Sequence, residues 1–185
     1  MATATDTKLI TAEEFLHLAD GGACTELVRG RIVEMNRPHT SHGYFMTGIA
    51  SILRQYVREH DLGRVVSGDA GVVTEHEPDT VRGPDVAFYS YQRIPKGPLP
   101  KGYWPSTPEL VIKIRSVDDR WKDIIQKAGE YLAAGVLTVA VVDPESVRVH
   151  LFSADRETAI LNRDDELTFP DILPGLAVPV NKLFE

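Results

Sequence analysis

Apolar and polar positions alternate in short bursts along most of the chain, and two longer stretches follow a helical period. Between Thr40 and His60 the apolar residues Phe45, Ile49, Ile52, Leu53, Tyr56 and Val57 recur at three- and four-residue steps, the mark of a helix with one buried face. A second helix is expected from Asp118 or Asp119, either able to cap it, to about Ala134, with Gly135 as its stop. A third, short one opens at Thr11-Ala-Glu-Glu14, a capping box, and runs to about Asp20, where Gly21-Gly22 ends it. The alternating bursts predict strands over Glu26–Val28 and Ile32–Met35, joined by a turn at Gly30, then Val65–Val66, Val72–Thr74 and Val86–Tyr89. Leu110–Ile114 buries Leu110, Ile112 and Ile114 on one face and turns Glu109, Val111, Lys113 and Arg115 to the other. Val136–Val142 is apolar throughout except Thr138, as expected of a central strand. Val147–Phe152, Thr158–Leu161 and Glu166–Phe169 read as an antiparallel meander, and Val180–Phe184 as a short helical end. Tyr91–Pro108 holds five prolines, which exclude a helix interior or central strand and predict a long loop. The order of elements gives an α/β layer, a mixed central sheet flanked by helices with an added C-terminal meander, in a single domain over residues 1–185.

Composition narrows the function classes. The 185 residues are 43 % hydrophobic and 25 % charged, ordinary for a globular chain, with no apolar run long enough for a bilayer. The start, MATATDTKLI, lacks both a basic and an apolar stretch, so no secretory leader and no membrane partner are expected. One cysteine, Cys24, excludes an internal disulfide and a cysteine-rich zinc site and fits a reducing cytoplasm. The net charge of −7 argues against a protein that coats DNA through bulk basic charge. Residues Arg82 to Lys127 nevertheless carry nine basic against five acidic side chains, whereas the rest carries 11 against 22. That basic middle is either a face for an anionic substrate or chance clustering on solvated surfaces.

No phosphate-binding glycine loop and no nucleophile elbow is present. His39 and His42 have no Cys or carboxylate motif beside them and read as polar residues at a helix start. Asp85 lies after Gly83-Pro84 at the head of a strand, one element before Leu110–Arg115 and a helix. A metal nuclease has that layout: acids on adjacent strands hold a hard divalent cation, and a lysine steadies the attacking water or the phosphorane charge. The ordinary alternative for Asp85 is an Asx turn, and for Glu26 a pair with Arg29 or Arg31. On a wheel with Asp123 at zero, Lys127 falls at about 40° and the Trp121/Ile124/Ala128/Leu132 stripe at about 140°, so Lys127 sits on the shoulder of the buried face. It either reaches a site over the sheet or pairs with Asp123 on the surface. Tyr103 and Trp104 either stack on bases or plug the core.

Several segments occur in a telling order: Thr11-Ala-Glu-Glu-Phe15, Glu26-Leu-Val-Arg-Gly-Arg-Ile-Val-Glu34, Gly83-Pro-Asp-Val86, Pro108-Glu-Leu-Val-Ile-Lys-Ile-Arg-Ser116, Asp119-Arg-Trp-Lys-Asp-Ile-Ile-Gln-Lys127, Glu130-Tyr-Leu-Ala-Ala-Gly-Val136 and Val141-Val-Asp-Pro144. Over about residues 10 to 155 the chain resembles the Uma-two family of restriction endonucleases, within the PD-(D/E)XK nuclease superfamily. The resemblance implies a restriction-endonuclease-like core and a Mg²⁺- or Mn²⁺-dependent phosphodiesterase acting on nucleic acid, DNA above all. It implies Asp85 as a metal ligand, Glu26 as a further acid at the metal, Lys127 as the displaced active-site lysine and His42 as a helix-start histidine of the site. Gln126 and Tyr131 are weaker candidates, Tyr131 reading as core. Arg115, Arg120 and Lys122 are the candidate substrate-binding cations of the basic middle, and two such middles around a two-fold axis suggest a homodimer.

The chain departs from the family at Lys113, where the pattern has Glu. A charged lysine repels Mg²⁺ instead of ligating it, and is expected to pair with Asp85 as a fixed cation. Glu109 faces the same way but lies about 13 Å off along the strand, too far to substitute. Three functions therefore stand open: a metal-dependent endonuclease, a degenerate nuclease that binds nucleic acid without cutting, and a dimerising interaction protein built on the same fold.

Overall fold

The computed structural model describes residues 8–18 and 24–185. Helix α1 covers Ala12–Leu16, and its capping box is formed: the Glu14 amide donates to Thr11 Oγ1 at 3.1 Å, and the Thr11 amide donates to Glu14 Oε2 at 2.9 Å. The helix is shorter than its pattern suggests. It ends at Leu16, so Leu18 is exposed instead of completing an apolar stripe, and the expected stop at Gly21-Gly22 lies outside the described residues.

Among the described residues the strands form three sheets, the largest of them the mixed sheet that the pattern predicts. Strands β1 (Thr25–Val28) and β2 (Arg31–Glu34) make a hairpin. Its two turn residues, Arg29 and Gly30, both have positive φ (49° and 72°), the twist that a two-residue hairpin requires. With β4 (Val72–Glu75) and β5 (Thr80–Arg82) they build a four-stranded sheet in the order β2-β1-β5-β4. A larger, six-stranded sheet contains β3 (Gly63–Ser67), β6 (Val86–Ser90), β7 (Leu110–Ile114), β8 (Thr138–Asp143), β9 (Arg148–Ser153) and β10 (Ala159–Leu161) in the order β10-β9-β8-β7-β6-β3. Only β7 and β8 run parallel, and the helix between them, α3 (Trp121–Ala133), supplies the crossover such a pair needs. Strands β11 (Glu166–Phe169) and β12 (Leu173–Pro179) form a separate hairpin, followed by one 3₁₀ turn over Val180–Phe184.

The alternation along β7 is realised on both faces. Leu110, Ile112 and Ile114 pack with Ile49, Leu53 and Val57 of helix α2 (Thr40–Glu59). Val111 points the other way with Lys113, but into a second core made with Ile124, Ala128 and Tyr131 of α3 and Val139 and Val141 of β8. Strand β8, with Ala140 and Val142 in the first core and Val139 and Val141 in the second, is buried almost end to end. The Pro-rich segment is pinned as a loop by Arg93, which donates to the carbonyls of Thr107, Pro108 and Gly135 and pairs with Glu109. Trp104 packs edge-on against Tyr89, and Tyr103 packs beside Leu27 and Val81, so both rings plug cores and neither is free to stack on bases. No helix among the described residues is long and apolar enough to cross a membrane.

Strand β3 meets β6 at Gly63, where an added Cβ would lie 2.1 Å from the carbonyl oxygen of Tyr89. Gly63→Ala is therefore expected to force the two strands apart and to destabilise the fold by about 3 kcal/mol, the upper part of the overpacking range. Urea unfolding measures the shift in midpoint.

Candidate functional site

The chain crosses from the smaller sheet to the larger one within a few residues. Strand β5 ends at Arg82, Gly83 and Pro84 make the passage, and Asp85 stands at the head of β6. The crossing brings residues far apart in sequence around one cleft of about 120 Å³. It is walled by Glu26 from β1, His42 from the first turn of α2, Asp85, Lys113 from β7 and Lys127 from α3. All five residues expected in the catalytic group therefore meet in one place.

Two buried carboxylates dominate the cleft. The Asp85 side chain is 1 % exposed. Lys113 Nζ donates to its Oδ1 at 3.1 Å, the backbone amide of Ile114 donates to its Oδ2, and His42 Nε2 stands 3.3 Å from Oδ2. Burial alone would push this carboxyl up. The His42 hydrogen bond and the Lys113 charge outweigh it and hold Asp85 below the usual carboxylate range. Burial likewise opposes the charge on Lys113, and the Asp85 carboxylate overcomes it, raising the ammonium above its ordinary value. Lys113 is thus held as a cation bonded to the neighbouring acid.

Glu26 anchors a second network. Lys127 Nζ donates to its Oε2 at 2.8 Å, Arg82 Nη1 donates to the same oxygen at 2.7 Å, and the Gly83 amide reaches Oε1 at 3.2 Å. Arg82 also pairs with Glu130, one turn beyond Lys127 on α3, at 2.6 Å. Burial would raise the Glu26 carboxyl, but Lys127 and then Arg82 bring it below its ordinary value. Glu26 pairs with neither Arg29 nor Arg31 in these contacts. Lys127 takes Glu26 in place of the Asp123 surface pair.

The substrate-binding cations divide. Arg115 is turned away from the cleft: it pairs with Asp143 at 3.2 Å and Glu145 at 2.8 Å and lies over the Trp121 ring, lining a neighbouring cavity of about 330 Å³. Arg120 is exposed and lines a cavity behind the cleft, whereas Lys122 lines none of the cavities described here. Gln126 is spent on Glu130, and Tyr131 is core, as its pattern suggests. Sequence reasoning missed Arg82 and Asp69. Arg82 sits one residue from the Gly83-Pro84-Asp85 motif, the one local signal that could have found it. Asp69 follows Gly68 in a tight turn, both with positive φ, and lines the cleft. Burial first, and then the Asp85 charge, push its carboxyl above the usual range.

These acids do not form a cation cage. Among the described residues no group of three or more His, Cys, Asp or Glu side chains is placed to hold a metal ion. Asp85 Oδ1 accepts from Lys113 and Oδ2 from the Ile114 amide, Glu26 Oε2 accepts from Lys127 and Arg82, and the Lys113 ammonium beside Asp85 repels a divalent cation.

The restriction-endonuclease-like fold defines the class of protein. The chain belongs to the Uma-two family, described as "Putative restriction endonuclease", which it matches over residues 12–181. A crystal structure of a "putative nuclease" from Anabaena variabilis superposes with a TM-score of 0.82 at 21 % identity, covering 95 % of this chain and 97 % of that one. At that identity the likeness establishes the fold. No curated protein matches the chain.

The lowered carboxyl of Asp85 gives a signed pH dependence. A carboxyl held below its unfolded value contributes stability that is complete above about pH 4 and is lost as pH falls through the folded value. The melting temperature is expected to hold steady from pH 7 to pH 5 and to drop below about pH 4. Asp85→Asn leaves Lys113 without its counter-charge and is expected to cost about 3 kcal/mol at pH 7, near the lower end for a broken buried pair because the lysine can still turn to water. The variant loses less on acidification than the parent, and urea unfolding at several pH values reads both effects.

Proposed function

We propose that this protein is a nuclease-fold member that contacts nucleic-acid phosphate through Lys113 and Lys127 and does not hydrolyse it with a bound metal. One observation carries the reading: Lys113 Nζ sits 3.1 Å from Asp85 Oδ1, and on the family resemblance we take Lys113 to stand where a metal-binding glutamate is expected. The expectation of Mg²⁺ or Mn²⁺ chemistry at Asp85 and Glu26 meets a donor set that does not fit such an ion, so no step is routed through one.

Each lysine keeps donors for a second partner. An ammonium has three N–H groups. One of Lys113 is given to Asp85 and one of Lys127 to Glu26, while both side chains stay about a quarter exposed. A phosphate in the cleft can accept charge-assisted bonds from the remaining N–H groups of these lysines without disturbing either pair. Asp69, Asp118 and Asp119 also line the cleft and oppose an anion there. Binding on this reading is therefore modest in affinity and weakens steeply with added salt. Membership of a family described as restriction endonucleases supports nucleic acid as the source of the phosphate.

The test is charge reversal at one position. Lys113→Glu gathers two carboxylates where an ion pair stood, so the variant is expected to melt lower than the parent without divalent cations. Millimolar Mg²⁺ or Mn²⁺ should recover several degrees in the variant and leave the parent unmoved, the signature of an ion that binds only the folded variant. Metal-dependent nicking of plasmid DNA should appear in the variant alone and vanish when Asp85→Ala is added. The parent should bind a labelled oligonucleotide in low salt and release it in high salt. Metal-dependent cutting by the parent that Asp85→Ala abolishes would sink the proposal.

A further inference from the structure

The cavity of about 330 Å³ beside the cleft lies where the parallel strands β7 and β8 end and α2 begins, and it shares His39, His42 and Ser116 with the cleft as walls. His39, Ser41, Val117 and Glu145 keep its walls exposed to solvent. Arg115 stands there as a cation already fixed in place. Its guanidinium lies over the Trp121 ring, and Nη1 donates to both oxygens of Asp143, at 3.2 and 3.3 Å. Asp143 is buried and is held in turn by the Ser146 hydroxyl at 2.7 Å and the Glu145 amide at 3.2 Å. The third acceptor on Nη1 differs in kind: Glu145 Oε2, at 2.8 Å, belongs to a side chain that is 72 % exposed and free to turn to water. Two buried nitrogens of the same walls, Arg115 Nε and His42 Nδ1, have no hydrogen-bond partner among the described residues. The His42 side chain is 7 % exposed, and its other nitrogen is turned to Asp85, which is no wall of this cavity. Helix α2 starts without a side-chain cap and without an acid in its first turn, so the positive end of its dipole is uncompensated.

We propose that this cavity is a second phosphate subsite, in which the exposed carboxylate of Glu145 holds the place on Arg115 that a phosphate oxygen takes. The inference rests on the phosphate reading of the cleft and extends it to two neighbouring phosphates of one strand. Lys113 and Arg115 are two residues apart along one extended segment, about 7 Å, a step comparable with that between successive phosphates. An entering phosphate displaces Glu145 and accepts a charge-assisted bond from Arg115. The amides that open α2 favour the same anion, and the Ser41 and Ser116 hydroxyls stand in the same walls. Asp143 stays behind when Glu145 leaves, so the guanidinium keeps its position whichever acceptor it holds. Glu145 acts as a brake on binding. With it in place, Arg115 faces two carboxylates and the group is net negative; with it turned to water, Arg115 and Asp143 balance.

The experiment measures binding of a labelled oligothymidylate by fluorescence anisotropy over a range of salt concentrations. Glu145→Gln is expected to bind about threefold tighter than the parent, the size of effect an exposed ion pair carries. Asp171→Asn breaks another exposed pair, with Arg156, away from both cavities, and should leave the affinity unchanged. Arg115→Ala should weaken binding and flatten the plot of log affinity against log salt by about 0.7, the share of one single-strand phosphate contact. In the Arg115→Ala background Glu145→Gln should add nothing. Thermal melting checks that each variant is folded, and Arg115→Gln, which can still donate to Asp143, takes the place of an alanine variant that is not. No tightening by Glu145→Gln, a tightening that Asp171→Asn matches, or one that persists without Arg115 overturns the subsite and leaves the cleft contact standing. Failure of the parent and Glu145→Gln alike to bind removes the phosphate reading and this inference together.

Discussion

Two carboxylates buried in one crevice need compensating cations, and the way they obtain them ties the fold together. An ionised carboxyl out of water is costly unless a partner of opposite charge and several hydrogen bonds accompany it. Glu26 belongs to the smaller sheet and Asp85 to the larger. The cations that answer them come from β5, β7 and α3. Arg82 alone touches Glu26 on its own sheet and Glu130 on the helix that crosses the other sheet. Any shift of one layer against the other would leave a charge buried without its partner. The cleft therefore holds the geometry of the sheets, and the sheets hold the geometry of the cleft.

How much of this the sequence carries depends on the distance over which an interaction acts. The two faces of β7, the angular position of Lys127 and the buried role of Tyr131 follow from local period, and they are realised as expected. The resemblance placed Asp85, Glu26 and His42 in a common site because an ordered set of motifs stands in for contacts that a single sequence cannot display. The division into a four-stranded and a six-stranded sheet was not legible. It turns on β5, three residues enclosed by Pro78 and Gly83-Pro84, where no alternation is long enough to register. Strand β12 was missed for a related reason: Pro174, Gly175 and Pro179 interrupt its pattern, and its pairing with β11 carries a bulge at Thr168 and Phe169. The choice of Lys127 for Glu26 over Asp123 spans 101 residues. A helical wheel shows where a lysine points, but the partner is fixed only when the sheets have closed.

On the proposed reading, in which Lys113 stands where a glutamate is expected, the exchange changes the chemistry of the cleft more than its electrostatics. A glutamate with a bound divalent cation and a lysine alone both present positive charge beside Asp85, and both attract a phosphate. Only the first also polarises a water and supplies the nucleophile. The lysine brings its own charge covalently, so Asp85 stays neutralised without a metal supply and the crevice keeps its shape at any metal concentration. On the proposed reading, Lys113 keeps the binding half of a nuclease site and sheds the cutting half.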